Sequence, residues 1–198
     1  MAILTISPRT ASTVQEHIAK VSAALHLIDV DAVERVVGVI VHAYEHNRHV
    51  YIIGNGGSAS TATHFACDLG KATIVDGRTR MRVTSLTDNV ALLTAWANDT
   101  SYERVFAEQL TNVLNAGDVL IAVSASGNSP NVVTAIEVAD ALGAVTVALV
   151  GFSGGELKDA VSEVVHIPVD DYGVVEDCHL VLEHAITESV RERLLNTC

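Results

Sequence analysis

Five short aliphatic runs recur at about residues 49–54, 81–86, 118–124, 144–150 and 164–168, each followed by a helical pattern or a turn. Strands that alternate with helices require right-handed crossovers, which lay the strands parallel in one sheet with helices packed on its faces. The composition fits, since a chain 49% hydrophobic but only 4% aromatic, rich in Val, Ala and Leu, suits strands buried on both sides. A length of 198 residues allows one well-buried core and is short for two. The expected organisation is therefore a single α/β domain over 1–198, with residues 1–48 as helices that pack in an oligomer and 49–198 as the sheet and its covering helices.

Ligands of such a sheet bind beyond the carboxyl ends of the strands, and two of these ends carry small, donor-rich loops. Tyr51-Ile-Ile runs into Gly54-Asn55-Gly56-Gly57-Ser58, which opens a helix. Val119-Leu-Ile-Ala-Val123 runs into Ser124-Ala125-Ser126-Gly127-Asn128-Ser129-Pro130, which opens another. Glycine admits unusual backbone angles, and the N–H groups of a helix N-terminus carry partial positive charge, so each loop is able to close around an anion. One such loop is commonly a tight turn with a cap. Two in one chain point to a phosphorylated small molecule.

Charge and cysteine usage narrow the partners. A formal net charge of −12 with no Lys/Arg cluster argues against nucleic acid. Three cysteines, Cys67, Cys178 and Cys198, show no zinc-knuckle or redox-pair spacing, which fits a reduced cytoplasmic setting. The N-terminus lacks a signal-peptide pattern, and the longest apolar run, 141–152, is too short to span a bilayer, so no membrane role is expected. Helical spacing over about 12–28 and 31–46, with Asp29-Val30-Asp31 as a cap between them, adds two helices ahead of the first strand. A last amphipathic helix over about 173–195 offers Val174, Leu180, Leu182, Ala185, Val190 and Leu194 to a core. Together these leave more apolar helical surface than five strands cover, and oligomerisation is the natural remedy.

Residues able to do chemistry lie close to the loops. His64 and Asp68, four apart on the helix after the first loop, share a face about one turn beyond it. On the last helix Glu176 and His184, eight apart, are able to point into one cavity. His179 and Glu183 form a competing pair on a neighbouring face, and spacing does not choose between them. Asp88 reads equally as a ligand contact or an N-cap. Trp96 reads as core or interface, Cys67 as packing, and Lys71 as solvated.

Gly54-Asn-Gly-Gly-Ser58, His64-Phe-Ala66, Leu86-Thr-Asp88, Ala97-Asn98-Asp99, Gly117-Asp118-Val-Leu, Ser124-Ala-Ser-Gly-Asn-Ser129 and Glu176-Asp-x-His179-x-x-x-x-His184 follow one another in this order. The series, from about residue 30 to the end, resembles the sedoheptulose 7-phosphate isomerases (phosphoheptose isomerases), which are single sugar-isomerase (SIS) domains. The resemblance implies a three-layer αβα sandwich of flavodoxin-like, Rossmann-like type around a five-stranded parallel sheet, assembled as a homotetramer with sites between subunits. It implies that Ser124, Ser126 and Ser129 hold the substrate phosphate, with Ala125 replacing a hydroxyl residue. Asn55, Ser58 and Asp88 then contact the sugar, alongside Gly56, Gly57 and Asn89.

The resemblance also implies that His64, Asp68, Glu176 and His184 are the catalytic or zinc-binding positions, where the family pattern is His, Glu, Gln and His. Two imidazoles and two carboxylates remain competent zinc ligands. Asp for Glu shortens the base by one methylene, and Glu for Gln adds negative charge. The implied reaction is aldose–ketose isomerisation of a phosphosugar through a cis-enediol, with Asp68 as base, His184 as acid, and His64 and Glu176 orienting them or completing a metal site. The rivals are a non-catalytic SIS protein that binds a sugar phosphate or a partner of the replication-initiator-associating type, and an isomerase of a different phosphosugar.

Overall fold

The structure, a computed structural model, describes residues 8–196, with side chains from Ser12 onward; the leader before Pro8 and Cys198 lie outside the described residues. Two helices come first, α1 (Pro8–Leu25) and α2 (Val30–Glu45). Asp29 caps α2 by accepting a hydrogen bond from the Asp31 N–H at 3.0 Å, the role its place in the sequence predicts. The α/β units follow: β1 (His49–Gly54), α3 (Gly57–Ala72), β2 (Arg82–Ser85), α4 (Val90–Asp99), a short 3-10 turn (Tyr102–Arg104), α5 (Val105–Val113), β3 (Val119–Ser124), α6 (Pro130–Ala141), β4 (Val145–Val150), α7 (Leu157–Ala160), β5 (Glu163–His166) and α8 (Tyr172–Asn196). Every expected strand is present, and β5 stops short of Pro168, which has no N–H to donate to a ladder.

The five strands are all parallel, in the order β2-β1-β3-β4-β5. That order is the flavodoxin-like one, and its direction of growth reverses between β1 and β3. Side chains alternate across the sheet, so Val50 and Ile52 enter one core while Tyr51 and Ile53 enter the other. The first core is covered by α2, α3 and α8 and the second by α5 and α6, which makes three layers. Trp96 is half-buried and packs against the edge of the second core.

Two details of α8 and one of α3 differ from the spacing argument. Val174, Leu182, Val190 and Leu194 are buried, but Leu180 and Ala185 face outward. The inward stripe runs through Val174, Val175, Cys178, Leu182, Ile186 and Val190, because α8 packs against both α2 and α3 and its buried face is broader and rotated from the simple pattern. Cys67 is exposed rather than packed, since on α3 the buried face belongs to Phe65 and Leu69. Lys71 is exposed.

Candidate active site

The crevice between β1 and β3 is where the two loops meet. Gly54, at the end of β1, lies opposite Val123 in the ladder, so the two chains leave the sheet side by side. They are then tied together by a reciprocal amide pair: Asn55 Nδ2 donates to Asn131 Oδ1 at 2.8 Å, and Asn131 Nδ2 donates to Asn55 Oδ1 at 2.9 Å. The Tyr102 hydroxyl also donates to Asn55 Oδ1, at 2.9 Å. Asn131 is buried in the first turn of α6, so its amide has to find such a partner.

Between the loops lies a cavity of about 180 Å³, lined by Asn55, Ser58, Ser124, Ser126, Ser129, Tyr172 and Glu176, among others. Its hydroxyls are not equivalent. Ser124 is buried and its Oγ accepts from the Gly127 N–H at 3.2 Å, while Ser126 Oγ accepts from the Asn128 N–H at 3.3 Å, so both help to shape the loop and keep their O–H free to donate. Ser129 occupies the N-cap of α6 without making a side-chain cap, so its hydroxyl is left for the cavity. At the first loop Gly56 turns at φ +54°, and no side chain caps α3. The positive end of that helix thus opens beside the cavity.

Glu176 takes a position that spacing left open. A methyl group on Gly57 would stand 2.4 Å from Glu176 Oε2, so this carboxylate lies directly against the first turn of α3. There it interacts favourably with the helix dipole and lines the loop cavity. It does not join His184, contrary to the expected pairing, because the eight-residue interval is two turns of α8 plus a fraction.

Farther along α3 a second group forms. His64 Nε2 is 3.6 Å and His184 Nε2 is 3.7 Å from Asp68 Oδ2. His64 Nδ1 is 3.3 Å and His184 Nε2 is 3.2 Å from Glu183 Oε1. The two rings meet edge to face, with centroids 4.9 Å apart. His64, Asp68, Glu183 and His184 each offer one ligand atom within 4.8 Å of the others. The fourth member is therefore Glu183 where the sequence expectation named Glu176. Glu183 is fully buried, and neither of its carboxylate oxygens has a hydrogen bond. Burial pushes its carboxyl above the usual range, His184 and His64 pull it back, and Asp68 adds to the rise.

Beside this group Thr63 Oγ1 donates to Asp88 Oδ1 at 2.5 Å, and Thr87 lies within hydrogen-bonding reach of Thr63 at 3.1 Å. Asp88 thus faces α3. The cap of α4 is Asn89, whose Oδ1 accepts from the Leu92 N–H at 3.1 Å, which settles Asp88 against the N-cap reading and engages the acceptor of Asn89. An open groove bordered by Ala59, Ser60, Thr63, His64, Cys67 and Thr87 runs along this side of the helix.

His179 is fully buried and takes no part in either group. Burial lowers its pKa to about 4, against a small upward pull from the Val150 carbonyl. A folded-state value below the unfolded value of about 6.5 means that the unfolded chain takes up a proton first as the pH falls. This residue costs nothing above pH 6.5, and stability declines by about 1.4 kcal/mol per pH unit between about 6.5 and 4. Urea midpoints measured at pH 7 and pH 5 should separate for this reason, and the separation should narrow in His179→Leu. An equal pH dependence in that variant would remove His179 as the cause.

Comparison with known proteins agrees with this fold. Residues 14–151 match the family model described as SIS domain. The phosphoheptose isomerase of Mycobacterium tuberculosis is 39% identical over 155 residues, covering 78% of this chain and 79% of that protein. The chain belongs to the SIS-domain family, in its phosphoheptose isomerase branch. Solved phosphoheptose isomerases share the fold: that of Neisseria gonorrhoeae superposes with a TM-score of 0.83 at 27% identity, covering 94% of this chain and 98% of that one. That of Francisella tularensis does so with a TM-score of 0.84 at 25% identity, covering 93% and 97%.

As a SIS domain, the chain carries site residues that its sequence motifs do not flag. Asn131 bridges the loops, Tyr102 hydrogen-bonds Asn55 and Tyr172 lines the cavity, while Glu183, which spacing had offered only as a partner of His179, completes the histidine group. The adjacency of Glu183 to His184 was visible, but its inward orientation depends on how α8 is rotated against α3.

Proposed function

We propose that this member of the phosphoheptose isomerase family interconverts sedoheptulose 7-phosphate and an aldoheptose 7-phosphate, most simply D-glycero-D-manno-heptose 7-phosphate, in the cytoplasm. The observation that carries the reading is the pairing of a serine-lined cavity, stitched by Asn55 and Asn131, with an imidazole–carboxylate group farther along the same helix. Ser124, Ser126 and Ser129 would hold the phosphate, with Gly56, Gly57 and Ser58 supplying the positive helix end. At about 180 Å³ the cavity suits a phosphate and the first carbons, so the sugar chain must run on along α3 past Thr63 and Asp88.

Isomerisation moves one proton from C1 to C2 of the ketose through a cis-enediol. Asp68, with its side chain one quarter exposed, is placed to take that proton and return it. His184 would deliver a proton to O2 as the enediol forms and accept one from O1 as it collapses, with His64 holding Asp68 and Glu176 facing the sugar near the phosphate. Two imidazoles and two carboxylates, one of them buried without a hydrogen bond, are a donor set that fits zinc. Zinc, when bound there, would polarise the carbonyl and engage the same Asp68 and His184 atoms, so the proton roles above belong to the metal-free site.

A homotetramer with sites between subunits is part of the proposal. It is supported by exposed apolar side chains on α1 (Val14, Ile18) and α8 (Leu180, Val181). Among the described residues no helix is long and apolar enough to cross a membrane. The deciding assay incubates the protein with sedoheptulose 7-phosphate, with and without zinc, and follows an aldoheptose phosphate by chromatography, beside a panel of pentulose and hexulose phosphates. Turnover of another ketose alone would reassign the substrate. Binding without turnover of any would favour the non-catalytic reading.

A further inference from the structure

We propose that a cavity at the amino-terminal end of the sheet is a second ligand site, built for a small organic phosphate with a flat aromatic body, of the nucleoside monophosphate class. It holds about 430 Å³, within the range of small-molecule sites, and is lined by Arg35, Gly38, His42, His46, Arg48 and Glu163 over an apolar floor of Val39, Val119 and Val145. Val119, Val145 and Glu163 are the first residues of β3, β4 and β5, so the cavity lies a strand length, about 17 Å, from the serine loop. It shares no residue with the loop cavity or with the histidine group.

Charge gives the ligand its sign. The chain carries 24 Asp and Glu against 12 Lys and Arg, yet here two arginines and two imidazoles face one carboxylate. Arg35 Nε donates to Glu163 Oε2 at 2.8 Å, which neutralises that pair. Arg48 has no such partner, since the ion-paired arginines among the described residues are Arg35, Arg104 and Arg193. Its guanidinium lies over Gly117, where a methyl group would stand 3.1 Å from Nε. The backbone sets it there: Asn47 turns at φ +54°, and the Arg48 N–H donates to the Ala43 carbonyl at 2.8 Å, which closes the end of α2 beside His42 and His46. The same turn satisfies the carbonyls of His42 and Tyr44, so these acceptors do not meet the cavity unpaired. A planar guanidinium placed without a carboxylate suits the oxygens of a phosphate.

Shape gives the ligand its body. His42 and His46 are stacked, with ring centroids 4.0 Å apart and planes inclined by 28°, and His46 Nδ1 donates to the His42 carbonyl at 2.9 Å. A fixed pair of flat rings beside aliphatic side chains suits an aromatic base. Gly38 is an independent sign. It stands in the interior of α2, where glycine lowers stability, yet no crowding requires it, because a methyl group there would meet only Arg193 Nη1, at 3.8 Å. The missing side chain keeps the cavity open.

The test titrates the whole protein calorimetrically with adenosine, guanosine and uridine monophosphates and with inorganic phosphate, each with and without saturating sedoheptulose 7-phosphate. At least one nucleotide should bind with a dissociation constant below about 1 mM, at least about tenfold more tightly than inorganic phosphate, and equally well in the presence of the sugar phosphate. Arg48→Gln should weaken that binding at least about tenfold. Gly38→Leu should abolish it by filling the cavity, with Tm unchanged or raised because leucine favours a helix. Ser126→Ala, in the loop cavity, should bind the nucleotide as the parent does. The proposal is overturned if none of the three nucleotides binds, if Arg48→Gln binds as the parent does, or if sedoheptulose 7-phosphate displaces the nucleotide. Should Gly38→Leu not fold, Arg48→Gln decides alone, since Arg48 is exposed. Should the protein take up no sedoheptulose 7-phosphate, the isomerase reading fails by itself, and Ser126→Ala then locates the nucleotide: loss of binding in that variant overturns the second site, and retention supports it.

Discussion

Asp68→Asn is expected to keep phosphosugar binding and to lose turnover by roughly a hundredfold to ten-thousandfold, the range a positioned general base supplies. The carboxylate stands at 3.6 and 3.7 Å from the two imidazoles, on the partly exposed side of the group, where a substrate carbon can approach it. An amide of the same shape cannot accept the C1 proton. Binding should survive because the phosphate cavity lies at the loop end of α3, and its serines make no contact with Asp68. Steady-state rates for sedoheptulose 7-phosphate, together with a dissociation constant for a phosphosugar measured calorimetrically, separate the two effects. A kcat equal to that of the parent would remove Asp68 from the chemistry and shift attention to the remaining carboxylates.

Gly127→Ala should be the most damaging small substitution in the chain. Gly127 turns at φ +67°, and a methyl group there would stand 1.9 Å from the Gly154 carbonyl oxygen and 2.6 Å from its carbon. Both obstacles are backbone, so neither is able to swing aside. The reverse contact is as tight: a methyl group on Gly155 would meet the Gly127 carbonyl at 2.5 Å. The serine loop and the turn after β4 are also joined by Leu157 N–H donating to the Gly127 carbonyl at 3.1 Å and Glu156 N–H donating to Asn128 Oδ1 at 2.9 Å.

Strain at a positive φ together with a backbone clash should cost about 3 kcal/mol or more. For a chain of this size that lowers Tm by about 6–12 °C. Phosphate affinity should fall as well, since the hydroxyls of Ser124, Ser126 and Ser129 ride on the displaced loop. Gly77→Ala is the control. Gly77 also has a positive φ, +78°, but meets open space, so it should lose only about 1–2 kcal/mol. Equal melting of the two variants would refute the close approach of the two backbones.

How far the sequence could be read depended on whether a property was local or angular. Each strand was legible because β-branched and aliphatic residues cluster in short runs, and the parallel arrangement follows from the intervening helices. Both loops, and their meeting at one cavity, were legible because two such loops each lie at a strand's carboxyl end and open a helix. His64 with Asp68 was secure for a similar reason, since an interval of four on one helix fixes a shared face. The cap of α2 at Asp29 was local too. The cap of α4 was off by one residue, because Asp88 and Asn89 are both good caps and only the reach of Asp88 to Thr63 across to α3 separates them.

What failed was the long-range angle. On α8 the residues Glu176, His179, Glu183 and His184 span more than two turns, and successive positions are rotated by about 100°. The sequence by itself determined an α/β chain with two Gly/Ser loops at strand ends and a store of imidazoles and carboxylates on two helices, because local backbone preference and hydrophobic period fix those. Only the tertiary structure decided that Glu176 lies at the first loop, His179 in the core, and Glu183 beside His184 against His64. The rotation of α8 about its own axis is set by burial of Val174, Cys178, Leu182, Ile186 and Val190 against the sheet and its neighbouring helices, a packing sum that no single spacing expresses.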